Sequence, residues 1–353
     1  MPVSPPRLRP RHWLSLAAVG LGLVSCRTIK FYSQAAQGQM EIFHKACPIS
    51  KVLVDPATKP ELRKRLALVE SIRDYARTEL RLPADKQFCD YADLQRRYVV
   101  WVVFAAPEFD TEAHTWWYPL VGTLKYRGFF TEKAAKEEAE KLKAQGFDVH
   151  VGGTEAYSTL GWFADPVLNT FINRNEPELA ELIFHELTHA RLFLPGDTDF
   201  NEALATAVAE ASVRRWLTSR GETAKLATYE HNLAKDRQII RLLLDTQTKL
   251  KAAYATGTDL AGQKAAAFRD MEKSYAAIRQ QWSGDSRYDR FFAMPMNNAR
   301  LNTAATYYDL LPAFERLLKQ CDGDLEKFFS ILKGTKSWSK KERRARLTAG
   351  TLQ

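Results

Sequence analysis

The chain has 353 residues, 45% of them hydrophobic, which is enough apolar material for one large core or two smaller ones. Its formal net charge of +9 is modest for that length. Such a balance suits contact with anionic headgroups or wall polymers, and it excludes a nucleic-acid-binding footprint.

Residues 1–25 read as a lipoprotein signal peptide. Arg7, Arg9, Arg11 and His12 form a basic region, and Trp13 to Val24 form an apolar stretch too short to span a bilayer comfortably. The stretch ends in Leu23-Val24-Ser25-Cys26, which resembles the bacterial lipobox, where cleavage precedes a cysteine that then carries the lipid. An ordinary secretory signal is the other reading, and both readings export the protein. Acyl chains on Cys26 would anchor the mature protein, each buried methylene contributing about 0.8 kcal/mol. Arg27 follows where an acidic residue would often signal inner-membrane retention, so a periplasmic, lipid-anchored protein of the outer membrane is slightly favoured. Cleavage removes the three arginines and no acid, taking the net charge from +9 to +6. Cys47, Cys89 and Cys321 remain, which allows one disulfide and one free thiol, or three buried thiols.

Residues 26–56 have weak periodicity and are expected to form a tether and a first short helix; residues 57–353 form the main domain. Within it, 61–80 has apolar residues at helical spacing. Residues 98–104 are a β-rich run closed by Pro107, and 116–130 read as a second strand pair broken at Gly122 and Gly128. Glu132 to Gln145 is a charged helix ended by Gly146, and 148–151 is a strand that Gly152-Gly153 turns into 154–161. After Pro177 the pattern is helical, near 177–193, 202–220, 223–256, 260–281, 298–310, 313–320 and 324–332. The fold expected is α+β, with a small mixed sheet in 57–175 followed by a mostly helical half, 176–353.

The helix at 177–193 carries His185-Glu186-Leu187-Thr188-His189, an H-E-x-x-H motif. Two imidazoles four residues apart lie one above the other on one helical face, the spacing that two ligands of a single zinc ion need. Glu186 sits beside them as a general base toward water. A catalytic zinc takes a third protein ligand and keeps its fourth position open. Position 195 is proline, which excludes the class whose third ligand is a histidine six residues on. Asp197, Asp199, Glu202 and Glu210 are within reach. Glu202 is the best of them, because Gly196 to Asn201 read as a turn that reverses the chain, with Asn201 as N-cap of a helix. Ala203, Ala205, Ala207 and Ala209 make that helix small-sided, so it can approach the first closely. Asp199 is the runner-up. Glu210, two turns further on, either hydrogen-bonds a liganding histidine or is a solvated helix charge.

Zinc peptidases of the zincin type bind substrate along a sheet edge, since an unpaired edge offers a peptide its donors and acceptors. Residues 153–163 are the candidate edge, with Tyr157 or Trp162 walling a subsite; an interior strand is the alternative.

Residues 183–208, IFHELTHARLFLPGDTDFNEALATAV, together with EAYSTLGWFADPVLNTF, WWYPLVGTLKYRGFF and NNARLNTAATYYDLLPAF, resemble a bacterial family of lipoprotein zinc peptidases known as the putative aminopeptidases. The resemblance runs over most of the mature chain in the same segment order. It implies a zincin-like, gluzincin-type peptidase with His185, His189 and Glu202 on one Zn2+ per chain and Glu186 as base. A peptide or protein is then the substrate, and the membrane is a partner through Cys26. No G-x-M-E-N signature for an α-amine is present, so aminopeptidase and endopeptidase both stay open. Tyr307 is the candidate oxyanion donor. Asn298 and Arg300 either bind substrate or cap and pin their helix. Tyr229 and His231 read as core or surface residues, and Lys340-Lys341-Glu342-Arg343-Arg344 reads as a solvated tail or a lipid contact. A non-catalytic binding or assembly lipoprotein on a degenerate zincin fold is the competing class.

Overall fold

The computed structural model describes residues 10–119, 121–159 and 163–352, without side chains at 10–27 and 304–307. Two compact units divide the chain, residues 1–45 and 46–353. What is described of the first is one helix, α1 (Pro10–Lys45). Cys26 falls within it, and its side chain lies outside the described residues. Among the described residues no helix is long and apolar enough to cross a membrane.

The second unit opens with β1 (Ala46–Pro48), α2 (Ile49–Val54) and α3 (Pro60–Thr78). Then come β2 (Asp90–Ala92), β3 (Val100–Pro107), β4 (Trp116–Tyr118), β5 (Gly122–Leu124), β6 (Arg127–Phe129), α4 (Glu132–Lys143), β7 (Phe147–Thr154) and β8 (Val167–Leu168). The rest is helical: α5 (Glu176–Arg191), α6 (Thr198–Ser219), α7 (Thr223–Ala255), α8 (Leu260–Gln281), α9 (Asp289–Phe292), α10 (Asn298–Tyr308), α11 (Leu311–Gln320), α12 (Leu325–Gly334) and α13 (Lys340–Ala349). The chain is thus mixed α+β and mostly helical.

The strands are spread over three small sheets. β6, β3 and β7 form an antiparallel sheet in that order, β4 and β5 form a hairpin, and β2 joins β1 antiparallel to β8 parallel. Three-residue strands such as β1 and β2 carry too few residues to display a period of two, so sequence reading passes over them. The Gly152-Gly153 pair is not a turn. β7 runs through it to Thr154, and a Cβ on Gly153 would lie 2.3 Å from the Tyr98 ring, so glycine there admits the ring rather than bending the chain. The expected edge segment 153–163 therefore has only its first two residues in a strand; 155–159 is irregular, and Gly161 and Trp162 lie outside the described residues.

α6 is the centre of the helical half. Every residue from Thr198 to Glu210 is buried, on all sides of the helix, and α5, α7, α10 and α11 surround it. Such all-round burial marks an interior helix, and its alanines let neighbouring backbones approach. α7 and α8 pair around Ile239, Leu243, Leu250, Phe268, Met271 and Trp282. α10 packs on α6 and also on β3 and β7, which ties the sheet to the helices.

Candidate metal centre

The connection from α5 to α6 decides where the site forms. α5 begins at the Asn175 N-cap, whose side chain accepts from Glu178 N at 3.0 Å, with Pro177 in the first turn. It ends at Leu192, which is extended. Asn201 is not the N-cap of the next helix; Asp197 occupies that place, and Asn201 sits within the first turn. From there its amide bridges back to Leu194, accepting from the N–H and donating to the carbonyl at 2.8 Å each, and so closes the turn. Gly196 has φ +80 and donates to Val121 O at 3.0 Å. Gly122, at φ +78, touches it backbone to backbone, and a Cβ there would lie 2.7 Å from Gly196 N. The β4–β5 hairpin is therefore seated on the turn that precedes Glu202.

This turn brings His185 and His189 on α5 against Glu202 on α6. The two Nε2 atoms are 3.1 Å apart, and Glu202 Oε2 lies 3.3 Å from His185 Nε2 and 3.6 Å from His189 Nε2. A tetrahedral ion with bonds of ~2.0–2.1 Å spaces its donors ~3.3–3.4 Å apart, so the three atoms fit one zinc-sized cation. A single proton could satisfy only one of these close pairs; a cation among them satisfies all three. Burial works against charge at His185, yet the hydrogen bond and charge of Glu202 overcome it and raise the imidazole pKa. Glu202 is likewise opposed by burial, but the two histidines hold its carboxyl well below the usual range. His185, His189 and Glu202 are the cluster of metal-binding side chains found among the described residues.

Both aspartate alternatives are committed elsewhere. Asp199 is held by Lys125 Nζ at 2.7 and 2.8 Å, and Asp197 by Arg343 at 2.7 and 3.1 Å. Glu210 accepts from Arg237 Nη2 at 2.6 Å instead of meeting a histidine, and burial raises its pKa to about 7. Asn298 and Arg300 do not face the cluster. Asn298 donates to Pro107 O and Glu108 O at 3.1 and 2.9 Å, while Arg300 donates to Met294 O at 2.7 Å and to Phe291 O. Both are fully buried and pin α10, so their role is architectural. The Tyr307 side chain lies outside the described residues. Tyr229 is buried and donates to Glu181 at 2.9 Å, and His231 is exposed. The C-terminal charge run is no solvated tail, since it forms α13 and buries Arg343.

Glu186 is half-buried beside the cluster, and no hydrogen bond from a described residue ties it down. Two residues near it were not legible in the sequence. Tyr126, between β5 and β6, packs on Phe104 at 5.9 Å; burial, then the charges of Glu202 and Glu186, raise its phenol pKa. Asp165 is buried and pushed up to about 6, chiefly by burial, against hydrogen bonds from Thr159 and Ser158, with the Glu186 charge adding to the rise. It holds Ser158 and Thr159 by these bonds, and next to them Tyr157 stands exposed, edge-on to Phe130 at 5.5 Å. Both residues reach the site by long-range packing, which leaves no local spacing to read.

The chain is thus an α+β protein whose paired helices bring a His-His-Glu cluster together in the arrangement a metal ion needs. The family model described as "Putative aminopeptidase" matches residues 30–347, and the chain belongs to that family. Membership supports peptidase activity on a peptide substrate. No curated protein and no solved structure matches.

Proposed function

We propose that the protein is a zinc-dependent peptidase of zincin type that removes residues from the amino terminus of peptides. The observation that carries this reading is the convergence of His185 Nε2, His189 Nε2 and Glu202 Oε2 within 3.1–3.6 Å of one another, with Glu186 adjacent on the same helical turn. Zinc held by these three would supply Lewis acidity toward a peptide carbonyl and acidify water beside it. Glu186 takes the proton of the attacking water and returns it to the leaving amine. A half-buried carboxylate with no hydrogen-bond partner among the described residues is available for that transfer. Tyr126 is the donor we assign to the carbonyl oxygen as it gains charge. Its phenol is kept neutral by burial and by two carboxylates, so it arrives with its proton. Tyr157, packed edge-on against Phe130, is the residue we assign to the wall of a substrate subsite.

Chelator-treated protein should lose hydrolysis of free-amine dipeptides and regain it with about one zinc per chain. Equal cleavage of N-blocked peptides would make it an endopeptidase, and activity untouched by metal removal would end the zinc reading. We further propose export and lipid attachment at Cys26, on the strength of the basic region, apolar stretch and lipobox. Protein made in a bacterial host should partition into detergent, and Cys26→Ser should move it to the aqueous phase; no difference would refute the anchor.

A further inference from the structure

We propose that Lys125 and Arg343 are positioning residues for the third metal ligand, clamping the first turn of α6 from two distant parts of the chain. The inference rests on the metal-centre reading above. Asp197 and Asp199 are both buried where α6 begins, and Glu202 follows one turn later. Acids at a helix N-terminus usually cap it, but the Asp197 side chain makes no cap bond. Its Oδ2 accepts from Arg343 Nη2 at 2.7 Å and Nε at 3.1 Å. Arg343 is itself buried, its guanidinium lying 5.2 Å from the Phe200 ring centroid and its Nη1 donating to Thr335 O and Trp338 O at 3.1 Å. From the other side Lys125 Nζ reaches both oxygens of Asp199, beside the Gly122 to Gly196 contact.

Buried ion pairs are a poor source of net stability, because desolvation offsets their attraction. Their geometry, however, is demanding. A slip of α6 by one residue would move Glu202 by ~1.5 Å along the axis and turn it by roughly a quarter of a circle. A metal site tolerates ~0.2 Å. Two pairs at one turn fix both the rise and the rotation of the helix, and so set where Glu202 points. They also occupy carboxylates that would otherwise compete for the ion: Asp199 is three residues from Glu202, within one helical turn.

The test is zinc affinity of the full chain, measured by competition with a chromophoric chelator and paired with the melting temperature of the metal-free protein. Lys125→Met and Arg343→Gln should each bind zinc about 10–100-fold more weakly while remaining folded. Arg343→Lys should recover part of the loss, and so should the charge-swapped pair Asp197→Arg with Arg343→Asp. Folded variants with wild-type affinity and a lowered melting temperature would show a merely structural role and overturn the proposal. Should Arg343→Gln fail to fold, Lys125→Met decides, its pair being more exposed. Wild-type protein that binds no zinc would overturn this inference and the metal-centre reading together, whereas unaffected variants overturn this inference alone.

Discussion

At the scale of single residues, the site divides into groups that share a helix and groups that share only space. His185, Glu186 and His189 sit on one helical turn, so their spacing announced their geometry. Glu202 was legible because a glycine turn and a run of alanines forecast a close second helix. Tyr126 belongs to the other kind: it comes near Glu186 and Glu202 from between two short strands. Tyr126→Phe removes one hydroxyl and no metal ligand. It should lower kcat by about 10²–10³, the usual loss for one oxyanion donor, with KM and zinc content little changed. An unaltered kcat would remove Tyr126 from the mechanism. Asn298 and Arg300 stayed ambiguous for the converse reason: a polar side chain in a helix does not reveal whether its partner is substrate or the protein's own carbonyls, and here it is the carbonyls.

Among elements, α6 carries most of the argument. It is buried on every face from Thr198 to Glu210, carries Glu202 of the cluster, and follows directly on the turn against which the β4–β5 hairpin sits. The contact between the hairpin and the turn before the helix is made by glycine on both sides. Gly122→Ala would introduce a side chain at φ +78 and set its Cβ 2.7 Å from Gly196 N. We expect a loss of about 1–3 kcal/mol in thermal unfolding, and weaker metal binding as the turn shifts. Unchanged stability would mean that the hairpin is loosely held. The long elements were readable, since 98–104 and 148–151 are β-rich and the later helices keep their period. Two- and three-residue strands were not, because pairing with distant partners defines them more than composition does.

For the whole molecule, residues far apart in sequence meet at one turn: a lysine from between the small strands and an arginine from the last helix both end on the start of α6. A C-terminal charge run looked like a tail because sequence shows the charges and hides the buried partner. The family match covers the length over which these contacts form. The central claim joins the cluster to chemistry and is tested by Glu186→Gln. Zinc content and dipeptide hydrolysis should be measured on the same preparation. The account predicts about one zinc per chain, as in the wild type, with hydrolysis abolished. Full hydrolysis by that variant would contradict it.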